Sequence, residues 1–407
     1  MHVLIIGAGL GGLTLAQSLR KQGISFEVFE RDNDKDTRSQ GWAIAIHSII
    51  DRLVSSFPSD MPDLREATNH LAPLTLPVQI AMFYPDRTDR VGFEDSPETP
   101  IIRAERYRLR EWLSTNIDIK WGKRVSRVEH DDHGVTVYFE DGTNAKGDFL
   151  VGADGVRSTV RGQLLQKSDD ELLKVVPLAA IVGEMSLAGE DFKRQLALGH
   201  SAYTLINPSL GFITFVGLHY VLPDAASARY FWMIMMPDTT VGDADHWLQT
   251  ASQQEKHDYV SNTVTKLPPR FREIFDLTPV EGIRKQPHVW RDLELENIPA
   301  SRVVIIGDAA HAMTPFRGEG GYHAFIDAMN ISETLGRLNV DGKIHDITTV
   351  KTAVGDFNSE MLERSVESVR SSRASYEEAK KTVKNRQAFS YALKVLPEAD
   401  DQLQVTV

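Results

Sequence analysis

The sequence predicts an α/β protein in which a Rossmann-like nucleotide-binding domain is interrupted by a second domain built on a mostly antiparallel β-sheet. Three observations predict it. Residues 2–6 (His2-Val3-Leu4-Ile5-Ile6) form an apolar, partly β-branched run that leads directly into a glycine loop and a helical pattern. Short apolar runs ending in glycine return at Phe149-Leu150-Val151-Gly152 and at Val303-Val304-Ile305-Ile306-Gly307. Between about 172 and 280 these fingerprints disappear, and alternating, aromatic-rich runs take their place.

Taken in order, the first strand is followed by a helix through Leu13, Leu15, Ala16 and Leu19 that stops at Gly23. A second strand, Phe26 to Phe29, ends at Glu30, which completes a βαβ opening. Residues 119–143 read as a β-meander with Asp141-Gly142 as its turn. The runs Tyr203–Ile206, Gly211–Leu218 and Tyr230–Met236 predict the antiparallel sheet, and residues 78–84 are a further strand candidate for it. A last helix is expected over 354–383, with Phe357, Met361, Leu362, Val366 and Val369 near one face. The nucleotide domain is therefore expected to be discontinuous, over 1–72, 100–171 and 281–345. The sheet domain is expected over 73–99 and 172–280, and a C-terminal helical segment over 346–407.

Composition narrows the function classes. The 57 acidic side chains outnumber the 45 basic ones, giving a net charge of -12, which argues against a nucleic-acid partner. There is no cysteine, so disulfides, thiol catalysis and cysteine-ligated metals are excluded, and no other metal-ligand spacing stands out. The first residues carry no basic leader, and no apolar run approaches the roughly 20 residues needed to cross a bilayer. A cytoplasmic protein without a membrane partner is the expectation.

Gly7-Ala8-Gly9-Leu10-Gly11-Gly12 matches GxGxxG between a strand and a helix. Gly7 permits the tight turn, Gly9 lets a pyrophosphate approach the backbone, and Gly12 allows close helix–strand packing. The helix N-terminus offers amide donors and a partial positive charge to the phosphates. Glu30, at the end of the second strand, is placed to accept hydrogen bonds from an adenosine ribose. This motif alone does not separate NAD from FAD.

Two later segments do so by resemblance. Gly152-Ala153-Asp154-Gly155-Val156-Arg157-Ser158 resembles the "DG" motif of the class A flavoprotein monooxygenases, and Gly307-Asp308-Ala309-Ala310-His311-Ala312-Met313-Thr314-Pro315 resembles their "GD" motif. The usual sequel follows as Gly318-Glu319-Gly320-Gly321, with Asp327-Ala328 on the next helix. The stretch from Pro315 is most similar to monooxygenases of fungal secondary metabolism. The resemblance implies the FAD-binding fold of the glutathione reductase and p-hydroxybenzoate hydroxylase type, carrying an inserted antiparallel substrate domain and C-terminal helices. It implies non-covalent FAD, NADPH or NADH as a transient co-substrate, and dioxygen. The reaction would be hydroxylation or epoxidation of a bulky small molecule through a C4a-hydroperoxyflavin, chemistry that belongs to the cofactor.

The resemblance also assigns residues. Glu30, with Arg31 beside it, would hold the adenosine ribose, and Asp308 the ribityl chain. Arg103 looks like the family arginine that contacts FAD, the alternative being an exposed arginine at a helix start. Gly41 and Ala43 sit where the family loop lines the flavin, and Asp154 belongs to the DG turn. If Gly318, Gly320 and Gly321 open a helix, their amides would face the flavin's pyrimidine end and stabilise its reduced anion. The family commonly has Asn where this chain has Tyr322, so no side-chain role carries over there. Tyr322 and His47 are the candidates for a catalytic group. His311 reads as structural rather than as an acid–base group.

The substrate pocket is expected between flavin and sheet, with Trp42, Tyr203, Phe212, Thr214, Met233 and Met235 as candidate lining residues. Core packing is the competing reading for each of the sheet residues. One rival keeps the scaffold and makes the enzyme a redox-neutral cyclase or rearrangement enzyme. A second, an NAD-dependent dehydrogenase, leaves the DG and GD segments unexplained. A third, a binding protein that kept the fold, has no sequence feature in its favour.

Overall fold

The computed structural model describes residues 1–37, 41–340, 342–373 and 392–397. A five-stranded parallel sheet sits at the centre of the nucleotide domain. Its strands run in the order Val303–Ile305, Phe149–Gly152, His2–Ile6, Ser25–Phe29 and Ile119–Lys120. Val3, Leu4 and Ile5 are fully buried, as a strand covered on both faces requires. The helices Leu10–Gln22 and Gly320–Val340 pack together on this sheet. The meander forms a separate antiparallel sheet of Val125–His130, Val135–Phe139 and Asn144–Gly147.

The second domain is a seven-stranded sheet in the order Leu178–Ala188, Ser227–Pro237, Ile213–Val221, Ala202–Leu205, Gln79–Phe83, Val91–Glu94 and Lys394–Val395. All pairs are antiparallel except Ala202–Leu205 with Gln79–Phe83. Alternation divides its side chains between two apolar cores. Tyr230, Trp232 and Ile234 join the larger one, with Phe271, Ile274 and Phe275 of the helix Pro269–Asp276. Phe231, Met233 and Met235 belong to a smaller one with Val182, Trp42 and Trp290. On each face an aromatic ring lies down on its cross-strand glycine: Trp232 on Gly183, and Phe231 on Gly217. A Cβ on either glycine would meet the ring at 2.3 and 2.5 Å respectively.

Two expectations for the C-terminal part need correction. The last helix is Ile347–Arg373, and it begins earlier than expected because Asp346 caps it, accepting from Thr348 N at 3.0 Å. The threonines of this first turn hid it from a periodicity count. Expected positions 374–383 lie outside the described residues. The segment 346–407 is also not wholly helical, because Lys394–Val395 pairs with Val91–Glu94 at the edge of the second sheet. Leu396 is buried there and closes that core. Leu396→Ala is expected to lower the unfolding free energy by about 2–5 kcal/mol in urea titrations, the usual cost of truncating a buried leucine.

Candidate cofactor and active site

The first helix begins against the end of the first strand because the loop is nearly all glycine. Gly7 has φ +105°, and a Cβ there would lie 2.3 Å from the Ala153 carbonyl oxygen. At Gly12 a Cβ would lie 2.0 Å from the Gly7 carbonyl oxygen, so any side chain would push the helix off the strand. Gly9 differs: a Cβ there would meet no protein atom within 4 Å. The first intrahelical bond is Leu13 N to Gly9 O at 3.0 Å, which leaves the amides of residues 10–12 beyond the helix's own use. Open space in front of these amides fits a pyrophosphate.

Glu30 is buried, with its carboxylate accepting from Ala8 N (2.8 Å) and Asp32 N (3.1 Å). Arg31 beside it is half-buried. Arg110, which sequence reasoning missed, donates from Nε to Ala8 O at 2.9 Å and approaches Glu30 at 3.9 Å. Nothing in the sequence singled it out from its neighbours Arg106 and Arg108. Asp154 is half-buried and stabilises the DG turn. Its carboxylate accepts from Ser158 Oγ at 2.5 Å and Val160 N at 3.1 Å, and burial pushes its pKa up despite these bonds.

Asp308 stands out within a buried run from Val303 to Ala312. Its side chain is exposed and has no partner among the described residues. A carboxylate presented in this way fits the hydroxyls of a ribityl chain. Beyond it, Pro315–Arg317 forms a single turn and Gly320 opens the helix Gly320–Val340. The first amide bond there is His323 N to Glu319 O at 3.0 Å, so the amides of Gly320 and Gly321 stand outside the helix's own bonding. Glu319 is itself buried and paired with Arg317 at 2.8 Å. Gly321 lies against Ile44, which follows Ala43 in the strand Ala43–Ile46. Gly41, just before that strand, lies against Arg106.

Behind the GD turn is a buried charge network. Asp327 Oδ2 accepts from Gly307 N (2.9 Å) and His311 Nε2 (2.5 Å), and Oδ1 accepts from Arg364 at 2.7 Å. Burial alone would raise the Asp327 pKa. The contacts with His311 and Arg364 outweigh it and hold the carboxyl well below the usual carboxylate range. His311 is therefore a structural partner of Asp327. Arg364 comes from the helix Ile347–Arg373, and no sequence motif pointed to it.

The two candidate catalytic groups come together. The rings of His47 and Tyr322 are parallel within 8°, with centroids 6.4 Å apart. Burial pushes the His47 imidazole down to about 4 and pushes the Tyr322 hydroxyl up. The candidate substrate residues divide. Trp42, Met233 and Met235 belong to the small core. Trp42 stacks on Phe231 (4.3 Å, 6°) and donates to Glu184 at 2.8 Å. Tyr203 and Phe212 lie in the opposite core, and Thr214 alternates onto that side with Val216, so these three face the helices instead. Arg103 is not an exposed helix-start residue: it is buried on the strand Ile102–Glu105, with its guanidinium over the Phe215 ring of the second sheet. Among the described residues no group of His, Asp or Glu is arranged to hold a metal ion, and no helix is long and apolar enough to cross a membrane.

Two outcomes follow from this geometry. Arg364→Met should cost about 3–5 kcal/mol, because it strips a buried carboxylate of its main cation, and the double variant with Asp327→Asn should recover part of that loss in urea melts. The depressed His47 pKa means the unfolded chain takes up a proton that the folded chain does not. Stability should therefore be full above about pH 6.5 and fall as pH drops towards 4, by roughly 3 kcal/mol at most from this residue. Unfolding free energies measured across that window should fall less steeply for His47→Gln than for the wild type.

Residues 99–342 match the family described as FAD binding domain, and residues 5–40 match an NAD(P)-binding Rossmann-like domain. The chain is 60% identical over 405 residues to the FAD-dependent monooxygenase thnD of Trichoderma harzianum, covering 100% of both chains. It is 28% identical to the FAD-dependent monooxygenase phnB of Penicillium herquei, over 90% of this chain and 88% of that one. Its fold resembles that of Klebsiella pneumoniae HpxO, solved with FAD and uric acid, at a TM-score of 0.68 and 21% identity, over 92% of this chain and 87% of that one. A match across more than half of the chain, and a 60% identical relative along all of it, put this protein in the FAD-binding-domain family, among its FAD-dependent monooxygenases.

Proposed function

We propose that this monooxygenase uses NADPH or NADH and dioxygen to hydroxylate or epoxidise a bulky, largely apolar secondary metabolite held between the cofactor and the second sheet. The small apolar core carries the reading. Phe231, Met233 and Met235 turn towards the nucleotide domain, where Trp42 and Trp290 meet them. Apolar walls with a few polar groups are what a small-molecule cleft requires, and methionines adapt to irregular ligands.

In this reading the amides of residues 10–12 hold the pyrophosphate, with Gly7, Gly9 and Gly12 allowing its approach. Glu30 and Arg31 hold the adenosine ribose, and Asp308 the ribityl chain. Gly41 and Ala43 line the flavin, Asp154 fixes the DG turn, and Gly318, Gly320 and Gly321 direct amides at the ring. Arg103 is left out of this set because its side chain faces the second sheet. When bound, FAD supplies the redox chemistry, taking a hydride from the nicotinamide and activating dioxygen. The chain's own residues orient the substrate and exclude water. Trp42 stacked on Phe231, and Trp290 edge-on to Phe316 at 5.2 Å, close the cleft with aromatic rings. His47 stays neutral and Tyr322 stays protonated at neutral pH, so each offers a hydrogen bond at the cleft edge rather than a charge.

An anaerobic titration of the FAD-loaded protein with NADPH tests the reading. Flavin absorbance should bleach, faster with the true substrate, and return when oxygen is admitted. A yellow protein that no nicotinamide reduces would point to redox-neutral chemistry, and a protein that cannot be loaded with FAD would overturn both. Asp308→Ala should weaken FAD binding by about tenfold or more, measured by flavin fluorescence on dilution.

A further inference from the structure

Arg103 is only 6% exposed, yet among the described residues its side chain makes no hydrogen bond or ion pair, and its Nε is a buried donor with no acceptor. A guanidinium cannot discard its proton, and burying it without an anion is costly. Burial alone lowers its pKa to about 10, with no carboxylate acting against that shift. The nearest acid on the same strand face is already engaged: Glu105 accepts from His219 Nε2 (3.0 Å) and from the amides of Tyr107 (3.1 Å) and Arg108 (2.8 Å). His70, beside Arg103, is fully buried and kept neutral, so it brings no negative charge.

The guanidinium stands on the side of the second sheet that faces the nucleotide domain. It lies over Phe215, and its Nη2 would be 3.2 Å from a Cβ on Gly217, the glycine on which Phe231 lies. Phe215, Phe231 and Trp42 continue the small apolar core from there. A cleft of about 330 Å³ bordered by Asn69, Ile102 and Arg103 opens beside it, and the carboxylate on its border, Asp95, is already paired with Arg65 at 2.5 Å and accepts from Ile101 N at 2.8 Å. The cofactor's charges have other donors: the amides at Gly9 serve the pyrophosphate, and those at Gly320 and Gly321 serve the flavin.

We propose that Arg103 is a specificity residue that binds an anionic oxygen group of the substrate, a carboxylate or an ionised enol, while Trp42, Phe215 and Phe231 hold the apolar body of the same molecule. The inference rests on the proposed cleft and narrows its substrate class to acidic, aromatic-sized molecules. Neutral molecules would leave the guanidinium unpaired, so the site rejects them.

The test uses the FAD-loaded protein and two matched probe pairs, 2-naphthoate with 2-naphthamide and 4-hydroxycoumarin with 4-methoxycoumarin, read by perturbation of flavin absorbance. The wild type should bind the anion of at least one pair about tenfold more tightly than its neutral partner. Arg103→Gln should abolish that preference while FAD content and affinity for the neutral probe stay unchanged, and Arg103→Lys should keep part of it. Absence of a preference in both pairs, or an equal preference in wild type and Arg103→Gln, overturns the proposal. Loss of FAD from Arg103→Gln with the preference intact assigns the guanidinium to the cofactor and also overturns it. If Arg103→Gln does not fold, loss of FAD or an undiminished preference in Arg103→Lys decides in the same way. Bleaching by NADPH is recorded on the same samples: a preference without bleaching leaves the anion site standing and removes the monooxygenase cycle.

Discussion

The geometry of the GD segment and of the helix after it depends on one buried carboxylate, that of Asp327. It joins three segments distant in sequence: the GD turn through Gly307 N and His311, its own helix Gly320–Val340, and the C-terminal helix through Arg364. A fully buried carboxylate is tolerable only when its charge and lone pairs are satisfied, so these three elements assemble together. The exposed position of Asp308 and the direction of the Gly320 and Gly321 amides both follow from where that network fixes the two ends of the GD segment. Arg364 extends the arrangement by donating to His323 Nδ1 at 2.7 Å, while His323 Nε2 bonds Ser368 at 2.9 Å. Burial and the neighbouring cations push His323 down to about 3, which leaves it neutral and free to accept.

The second constraint is the sheet with two different faces. Its outer face is an ordinary core, closed by helices within the same domain and by Leu396. Among the described residues no helix of its own covers its inner face, and Phe231, Met233 and Met235 are covered by residues that belong to the nucleotide domain, notably Trp42 and Trp290. The Gly183–Trp232 and Gly217–Phe231 pairs let large rings lie flat on opposite faces of the same strands. The scaffold is therefore fixed on one side, and on the other it packs flat aromatic surface against the nucleotide domain.

Most of the nucleotide-binding part was legible in the sequence, because glycine requirements are local. A residue that cannot carry a Cβ marks its place whatever surrounds it, and Gly7 and Gly12 are such residues. What was not legible depends on pairing across distance. Tyr203, Phe212 and Thr214 had the right character for a pocket, but the face each one occupies is set by sheet register and by which face the helices cover, and a run of apolar residues states neither. The alternating residues Met233 and Met235 fell in the small core towards the nucleotide domain for the same reason that Tyr203 fell in the other. Arg103 was expected at the FAD, with an exposed helix start as the alternative, whereas the helix begins only at Arg106 and Arg103 lies buried on the preceding strand with its guanidinium over Phe215. Arg364 carried no motif at all, since its meaning lies in Asp327, 37 residues earlier.

Three buried charges, those of Asp327, Glu319 and Arg103, differ in how they are satisfied, and the difference separates scaffold from function. Asp327 has Arg364 and His311, and Glu319 has Arg317 at 2.8 Å, so both are complete within the chain. Such internally closed pairs hold a shape and gain little from a ligand. Arg103 is buried to a similar degree with no counter-charge among the described residues: Glu105, on the same strand face, is committed to His219 and to the first amides of the following helix, and Asp95 is paired with Arg65. Had Arg103 served only to pack the domain interface, an apolar side chain of similar volume would fill the space between Phe215 and the strand Ile102–Glu105 without the desolvation penalty. A fixed positive charge retained in that place, against flat aromatic surface, has its physical justification in a partner that arrives from outside the chain and brings the missing anion with it.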